Sequence, residues 1–70
     1  MKFQKILLPP FYIRGLGYYI DNYPFAIVDF NKAIALDSTQ LDYYYFLGES
    51  YYFSEKYDLA KDALVKVIEL

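Results

Sequence analysis

A chain of 70 residues without cysteine or histidine has no disulfide, no thiolate or imidazole ligand for a metal, and no imidazole base. Its net charge of -2, with seven cations scattered singly, supplies no basic field for a nucleic acid. The hydrophobic fraction is 57%, yet no stretch is long enough to span a membrane, and the run from Ile6 to Ile13 is broken by Pro9 and Pro10.

Residues 1–8 place Lys2 and Lys5 before Ile6, Leu7 and Leu8, an apolar run too short for a secretory signal. They read as a linker or the tail of an earlier element. Pro9 and Pro10 suit the first turn of a helix, where a missing amide hydrogen costs little, and that helix is expected to reach Ile20. Asp21 and Asn22 form a turn, and Pro24 opens a second helix to Leu36, with Ala26, Phe30 and Ala33 along one face. Asp37 and Ser38 close this first hairpin, residues 9–38. Thr39 with Asp42 has the form of a capping box for a third helix reaching Phe53. Ser54, Glu55 and Lys56 turn the chain into a fourth helix, which carries Ala60, Leu64, Val67 and Ile68 and completes a second hairpin over residues 39–70.

The two hairpins repeat one another. Phe11, Gly15 and Tyr18 recur 33 residues later as Tyr44, Gly48 and Tyr51. Tyr23, Ala26, Phe30 and Leu36 recur 34 residues later as Tyr57, Ala60, Leu64 and Leu70, so one residue is deleted between Tyr19 and Tyr23. A period of this length marks stacked helical units. Glycine inside a helix costs roughly 0.5–1 kcal/mol relative to alanine, so Gly15 and Gly48 are expected to sit where helices approach closely, against Ala26 and Ala60.

The pattern of an aromatic, a glycine four residues on, a tyrosine three later and then Ala-x-x-x-Phe resembles the tetratricopeptide repeat, and the two copies cover residues 9–70. The resemblance implies an all-α fold in which two antiparallel helical hairpins stack as a short right-handed superhelix. Arg14 departs from the pattern where the second copy has Leu47, and Val67 replaces the small Ala33.

Function in this family lies on the inner face of the superhelix, so the resemblance implies a protein-interaction module. Helical phase puts Tyr12, Leu16, Tyr19 and Ile20 on that face beside Asp42, Tyr45, Glu49, Tyr52 and Phe53. Family members that clamp carboxylate tails carry cations there. This face is aromatic and acidic, so the expected ligand is an apolar peptide or helix with a basic or neutral flank. The other reading is structural, a fragment of a longer array or a self-associating unit joined through Leu64, Val67, Ile68 and Leu70. Ten tyrosines and six phenylalanines exceed what two hairpins bury, although some of them serve only to fill gaps; Tyr43 and Phe46 have intermediate phase. An enzyme is not expected: Asp58 and Asp62 share a helix face without His, Cys or a glycine-rich loop, and no metal or cofactor site is visible. The absence of cysteine makes the cytoplasm the expected compartment.

Overall fold

The computed structural model describes residues 10–70; the expectations for residues 1–8 and for Pro9 lie outside them. Four α-helices follow one another, α1 (Pro10–Tyr19), α2 (Tyr23–Leu36), α3 (Leu41–Phe53) and α4 (Tyr57–Glu69). No strand occurs among the described residues, and the fold is all-α. None of these helices is long and apolar enough to cross a membrane.

Local chemistry sets the ends. α1 stops one residue short of the expected Ile20, because the amides of Asp21 and Asn22 both donate to the Tyr18 carbonyl. Asn22 then caps α2, its Oδ1 accepting from the Phe25 amide at 3.2 Å. α2 accordingly begins at Tyr23, with Pro24 in the first turn. α3 runs to Phe53, one residue beyond Tyr52, the counterpart of Tyr19, and this absorbs the length difference between the copies. Its end is a left-handed cap: Glu55 has φ 63°, the Lys56 amide donates to the Tyr51 carbonyl at 2.9 Å, and the Glu55 amide donates to the Tyr52 carbonyl at 3.0 Å.

The expected capping box does not form. Gln40 is the N-cap of α3 and makes no side-chain cap bond. The Thr39 hydroxyl instead donates to Asp37 Oδ1 at 2.6 Å, the Thr39 amide donates to the same oxygen at 3.0 Å, and the Gln40 side chain donates to Oδ2 at 3.0 Å. The helix starts one residue later than a Thr39 cap would require, and the hydroxyl donates back to the Asp37 carboxylate, a charged acceptor two residues away. These bonds, that from the Thr39 hydroxyl foremost, hold the Asp37 carboxyl below its ordinary pKa.

α1 packs on α2, α3 on α4, and α2 on α3, while α1 meets α3 along a shorter contact. Ala26, Phe30, Leu47 and Ala63 cluster at the centre of the core, to which Ala33, Tyr43 and Ala60 also belong, and half-buried residues that include Tyr12, Leu16, Ile27, Ile34, Phe46 and Tyr51 flank the cluster. A Cβ placed on Gly15 would lie 2.8 Å from Phe30 Cε1, so the glycine makes room for this ring and not, as expected, for Ala26. Helical side chains lean toward the N-terminus, which carries the Phe30 ring back into the space opposite the glycine. In the second hairpin a Cβ on Gly48 would lie 2.7 Å from Leu64 Cδ2 and 3.5 Å from the Ala60 carbonyl oxygen; Leu64 dominates there too.

The first hairpin contains an ion pair that the sequence reading treated only as a departure at Arg14. Arg14 Nε and Nη2 donate to Asp29 Oδ2 and Oδ1, each at 2.9 Å. The Asp29 side chain is 3% exposed and that of Arg14 55%. The guanidinium bonds are the main reason that the Asp29 carboxyl lies below its ordinary pKa. Arg14 and Lys32 also lie over the Phe11 ring, at 5.5 and 5.3 Å from its centroid.

Two stability predictions follow from this packing. Gly17 has nothing within 4 Å of an added Cβ, so Gly17→Ala should raise stability by about 0.5–1 kcal/mol. Gly48→Ala should cost less than Gly15→Ala, because half-buried Leu64 can rotate away while Phe30, fully buried, cannot. Urea titrations of the three variants check the order, and equal effects at Gly15 and Gly17 would remove the close-approach argument. Separately, Arg14→Leu should cost about 2 kcal/mol by stranding the Asp29 carboxylate. Adding Asp29→Ala should recover most of that loss, and a strictly additive double variant would show that the pair is not coupled.

Candidate functional site

The residues expected on the inner face fall into two groups. Tyr12, Leu16 and Tyr19 of α1 are half-buried and pack against the core, where the second hairpin covers them. Tyr12 lies 4.7 Å from Tyr43 between ring centroids and 6.3 Å from Phe46, and Tyr19 meets Phe46 edge-on at 5.3 Å. Ile20 stands out from the turn at 80% exposure. On α3, Asp42, Tyr45, Tyr52 and Phe53 are exposed and Glu49 is half-buried. Tyr43, whose phase was intermediate, is a core residue, and Phe46 is half-buried against the core.

α3 orders this surface through neighbouring rings. Tyr45 sits edge-on to Phe46 at 5.3 Å, Tyr52 edge-on to both Phe53 and Tyr57 at 5.4 and 5.5 Å, and Phe53 stacks on Tyr23 at 5.3 Å. Each exposed ring is thus held by another, which fixes its position at low entropic cost. The small Ser50 lies fully buried on the opposite side of α3, its hydroxyl donating to the Phe46 carbonyl at 2.8 Å.

Glu49 joins the two groups. Its carboxylate accepts from the Tyr19 hydroxyl at 2.6 Å, tying α3 to α1. That bond, with burial and the negative charge of Glu49 behind it, pushes the Tyr19 phenol from its ordinary value near 10 to about 12. Burial, followed by the charge of Asp42, raises Tyr12. Neither ion pair among the described residues, Arg14 with Asp29 or Lys66 with Glu69, involves Asp42 or Glu49. The face is aromatic and negatively charged.

A second surface was missed. A groove of about 220 Å³ runs between α2, α3 and α4, lined by Asn31, Ile34, Leu47, Tyr51 and Ala63 among others, with Asp62 and Lys66 alongside. Asn31 spans it, donating to the Ile27 carbonyl at 3.0 Å and the Tyr51 hydroxyl at 3.3 Å. Its counterpart in the first hairpin, about 160 Å³, is lined by Arg14, Tyr18, Phe25, Val28, Asp29 and Lys32. Those six positions correspond one for one, by the repeat, to Leu47, Tyr51, Leu59, Asp62, Ala63 and Lys66 in the second groove. The available signal was the simultaneous exchange of Leu47 and Ala63 for opposite charges at Arg14 and Asp29.

Asp58 and Asp62 are both exposed, and among the described residues no three acidic side chains converge as a metal site would require. Of the residues assigned to self-association, Leu64 and Val67 are half-buried, while Ile68 is 85% and Leu70 56% exposed. Comparison with protein-family models, with curated proteins and with solved structures finds no match to the chain.

The Tyr19 bond has a defined pH dependence. A phenol whose pKa is raised on folding stabilises the fold fully below its ordinary value near 10, and that contribution is lost as pH rises through about 12. The stability gap between the wild type and Tyr19→Phe, from urea unfolding followed by circular dichroism, should stay constant up to the ordinary value and shrink above it. A gap that widens with alkalinity would show that the phenol does not donate to Glu49.

Proposed function

We propose that the chain is a protein-interaction module built from two tetratricopeptide-like hairpins in a right-handed superhelical stack, binding a peptide or helix of a partner on the exposed strip of α3. The reading is supported first by the doubled pattern, in which Gly15 meets Phe30 in the first hairpin as Gly48 meets Leu64 in the second. The observation that carries the binding role is the strip itself. Tyr45, Tyr52 and Phe53 are 41%, 54% and 52% exposed on one helix, held by ring contacts and flanked by Asp42 and Glu49. Preordered aromatic side chains give a large contact area for little loss of freedom, and the carboxylates of Asp42 and Glu49, neither of which is in an ion pair among the described residues, select against acidic ligands.

The partner segment is therefore apolar with Lys or Arg beside its apolar residues. Half-buried Tyr12, Leu16 and Tyr19 form the floor that positions α3, and the exposed residues make the contact. No catalytic role is assigned. Freedom from cysteine suits a reducing compartment such as the cytoplasm.

A library of random peptides displayed on phage tests this. Sequences selected on the wild type should be enriched in apolar residues with adjacent Lys or Arg, and their binding should weaken as salt is raised. Tyr45→Ala combined with Tyr52→Ala should abolish the enrichment without changing helicity, since both side chains are exposed. Selection of acidic peptides, or an unchanged selection on the double variant, would overturn the assignment.

A further inference from the structure

The groove between α1 and α2 runs from an aromatic end to a cationic one. Tyr18 meets Phe25 edge-on at 5.3 Å, Arg14 bonds Asp29 in the middle, and Lys32 lies over the Phe11 ring, 5.3 Å from its centroid. Arg14 lies over the same ring at 5.5 Å, so two cations share one aromatic face and one carboxylate. Asp29 is bonded to Arg14, while Lys32 is exposed and belongs to neither ion pair among the described residues. One positive charge is left uncompensated. The repeat shows what is missing: Lys66, the counterpart of Lys32, has Glu69 at 3.6 Å, and the position of Glu69 is taken in the first hairpin by Ala35.

Charge along the chain favours the same end. Residues 1–35 hold four cations and two acids, and residues 36–70 hold three cations and seven acids. An anion is therefore drawn to the first hairpin and repelled by the second. An apolar occupant would strip water from Lys32 and return nothing, whereas a carboxylate returns a charge-assisted bond. A single negative charge balances the cluster, and a phosphorylated side chain, with close to two, overshoots it.

Beyond the cations, Val28 and Phe25 are 50% and 55% exposed, so a ligand that fills the groove carries an apolar group beside its charge. Val28 lies four residues from Lys32 on α2, a rise of about 6 Å. Side chains two residues apart in an extended segment point the same way and lie about 7 Å apart, which matches that spacing. The groove, of about 160 Å³, is smaller than the roughly 300 Å³ at which small-molecule pockets begin, and suits a pair of side chains.

We propose that this groove docks an extended segment of a partner protein through one Asp or Glu side chain, held by Lys32 in the field of Arg14. An apolar side chain two residues away in that segment rests on Val28 and Phe25. The charge preference is opposite to that of the α3 strip, and the two sites are independent.

The test is a titration of the full ¹⁵N-labelled chain, at low salt, with the capped pentapeptide leucine-alanine-glutamate-alanine-leucine, in which leucine stands on both sides so that either chain direction fits. Amide shifts should move at Phe25, Val28 and Lys32 and saturate with a Kd of about 1 mM, as suits one exposed ion pair beside one covered apolar side chain. Replacing glutamate by glutamine in the peptide should weaken binding about two- to fivefold, and Lys32→Gln, which leaves Asp29 its partner, should do the same. Lys32→Glu should abolish saturation with helicity unchanged. A contact of this strength dissociates within about 10 ms and is lost in the washes of a display selection, and the shifts separate this groove from α3 residue by residue. Failure of either site is thus read without the other. Equal binding of the glutamate and glutamine peptides overturns the proposal, as do shifts confined to α3 or no saturation by about ten times the expected Kd. Tighter binding of inorganic phosphate at the same residues overturns it too. So do shifts there that follow protein concentration alone, which would make the occupant a second copy.

Discussion

The fold hangs on the seat of one ring. Phe30 is fully buried, and it reaches that position because Gly15 offers no Cβ to the space the ring occupies. The same ring stacks on Phe46 of α3 and tilts against Tyr12 of α1, each at 6.1 Å between centroids. It therefore belongs at once to the interior of the first hairpin and to the contact between hairpins. A small residue on α1 thereby sets where α3 lies, and through Phe46 it sets the positions of Tyr19 and Tyr45. The penalty for glycine in a helix is offset by an aromatic contact that no alanine would permit.

The second hairpin repeats this arrangement with a different outcome. Leu64 sits against Gly48 as Phe30 sits against Gly15, but it is only half-buried, since no further described element lies over it. Tyr12, Leu16 and Tyr19 occupy the same repeat positions as Tyr45, Glu49 and Tyr52. In the first hairpin they form a floor, and in the second they form a surface. Equivalent residues are thus covered or left open according to whether a neighbouring helix lies over them.

This difference explains how much of the molecule was legible in its sequence. The four helices and the sites of close approach could be read, because Gly15, Gly48, Pro24 and Asn22 act through backbone geometry that depends on neighbours in the chain. The burial of Tyr43 could not, because its phase was intermediate and its fate was decided by Tyr12 on another helix. Thr39 misled for a similar reason: its spacing from Asp42 suits a cap, but the geometry of the linker gave its hydroxyl to Asp37. On α3, helical phase applied to the face that the resemblance implies picked out Asp42, Tyr45, Glu49, Tyr52 and Phe53, of which all but the half-buried Glu49 are exposed. That Glu49 accepts from Tyr19 depended on packing between helices.

The ion pair of Arg14 and Asp29 gives the two-hairpin unit a direction. At the corresponding positions Leu47 and Ala63 are apolar and buried against the first hairpin, so the unit could in principle stack at both ends. The carboxylate takes its place in the interior only because the guanidinium meets it with both donors, and the guanidinium in turn keeps its outer side in water. Burying that outer side would cost the solvation of a charge whose bonds are already committed, with nothing gained in exchange. An apolar neighbour is therefore disfavoured at this end and favoured at α4, where Val65 and Ile68 lie open. Two substitutions within one repeat thus give equivalent positions opposite chemistry, a hydrogen-bonded ion pair in the first hairpin and buried apolar side chains in the second.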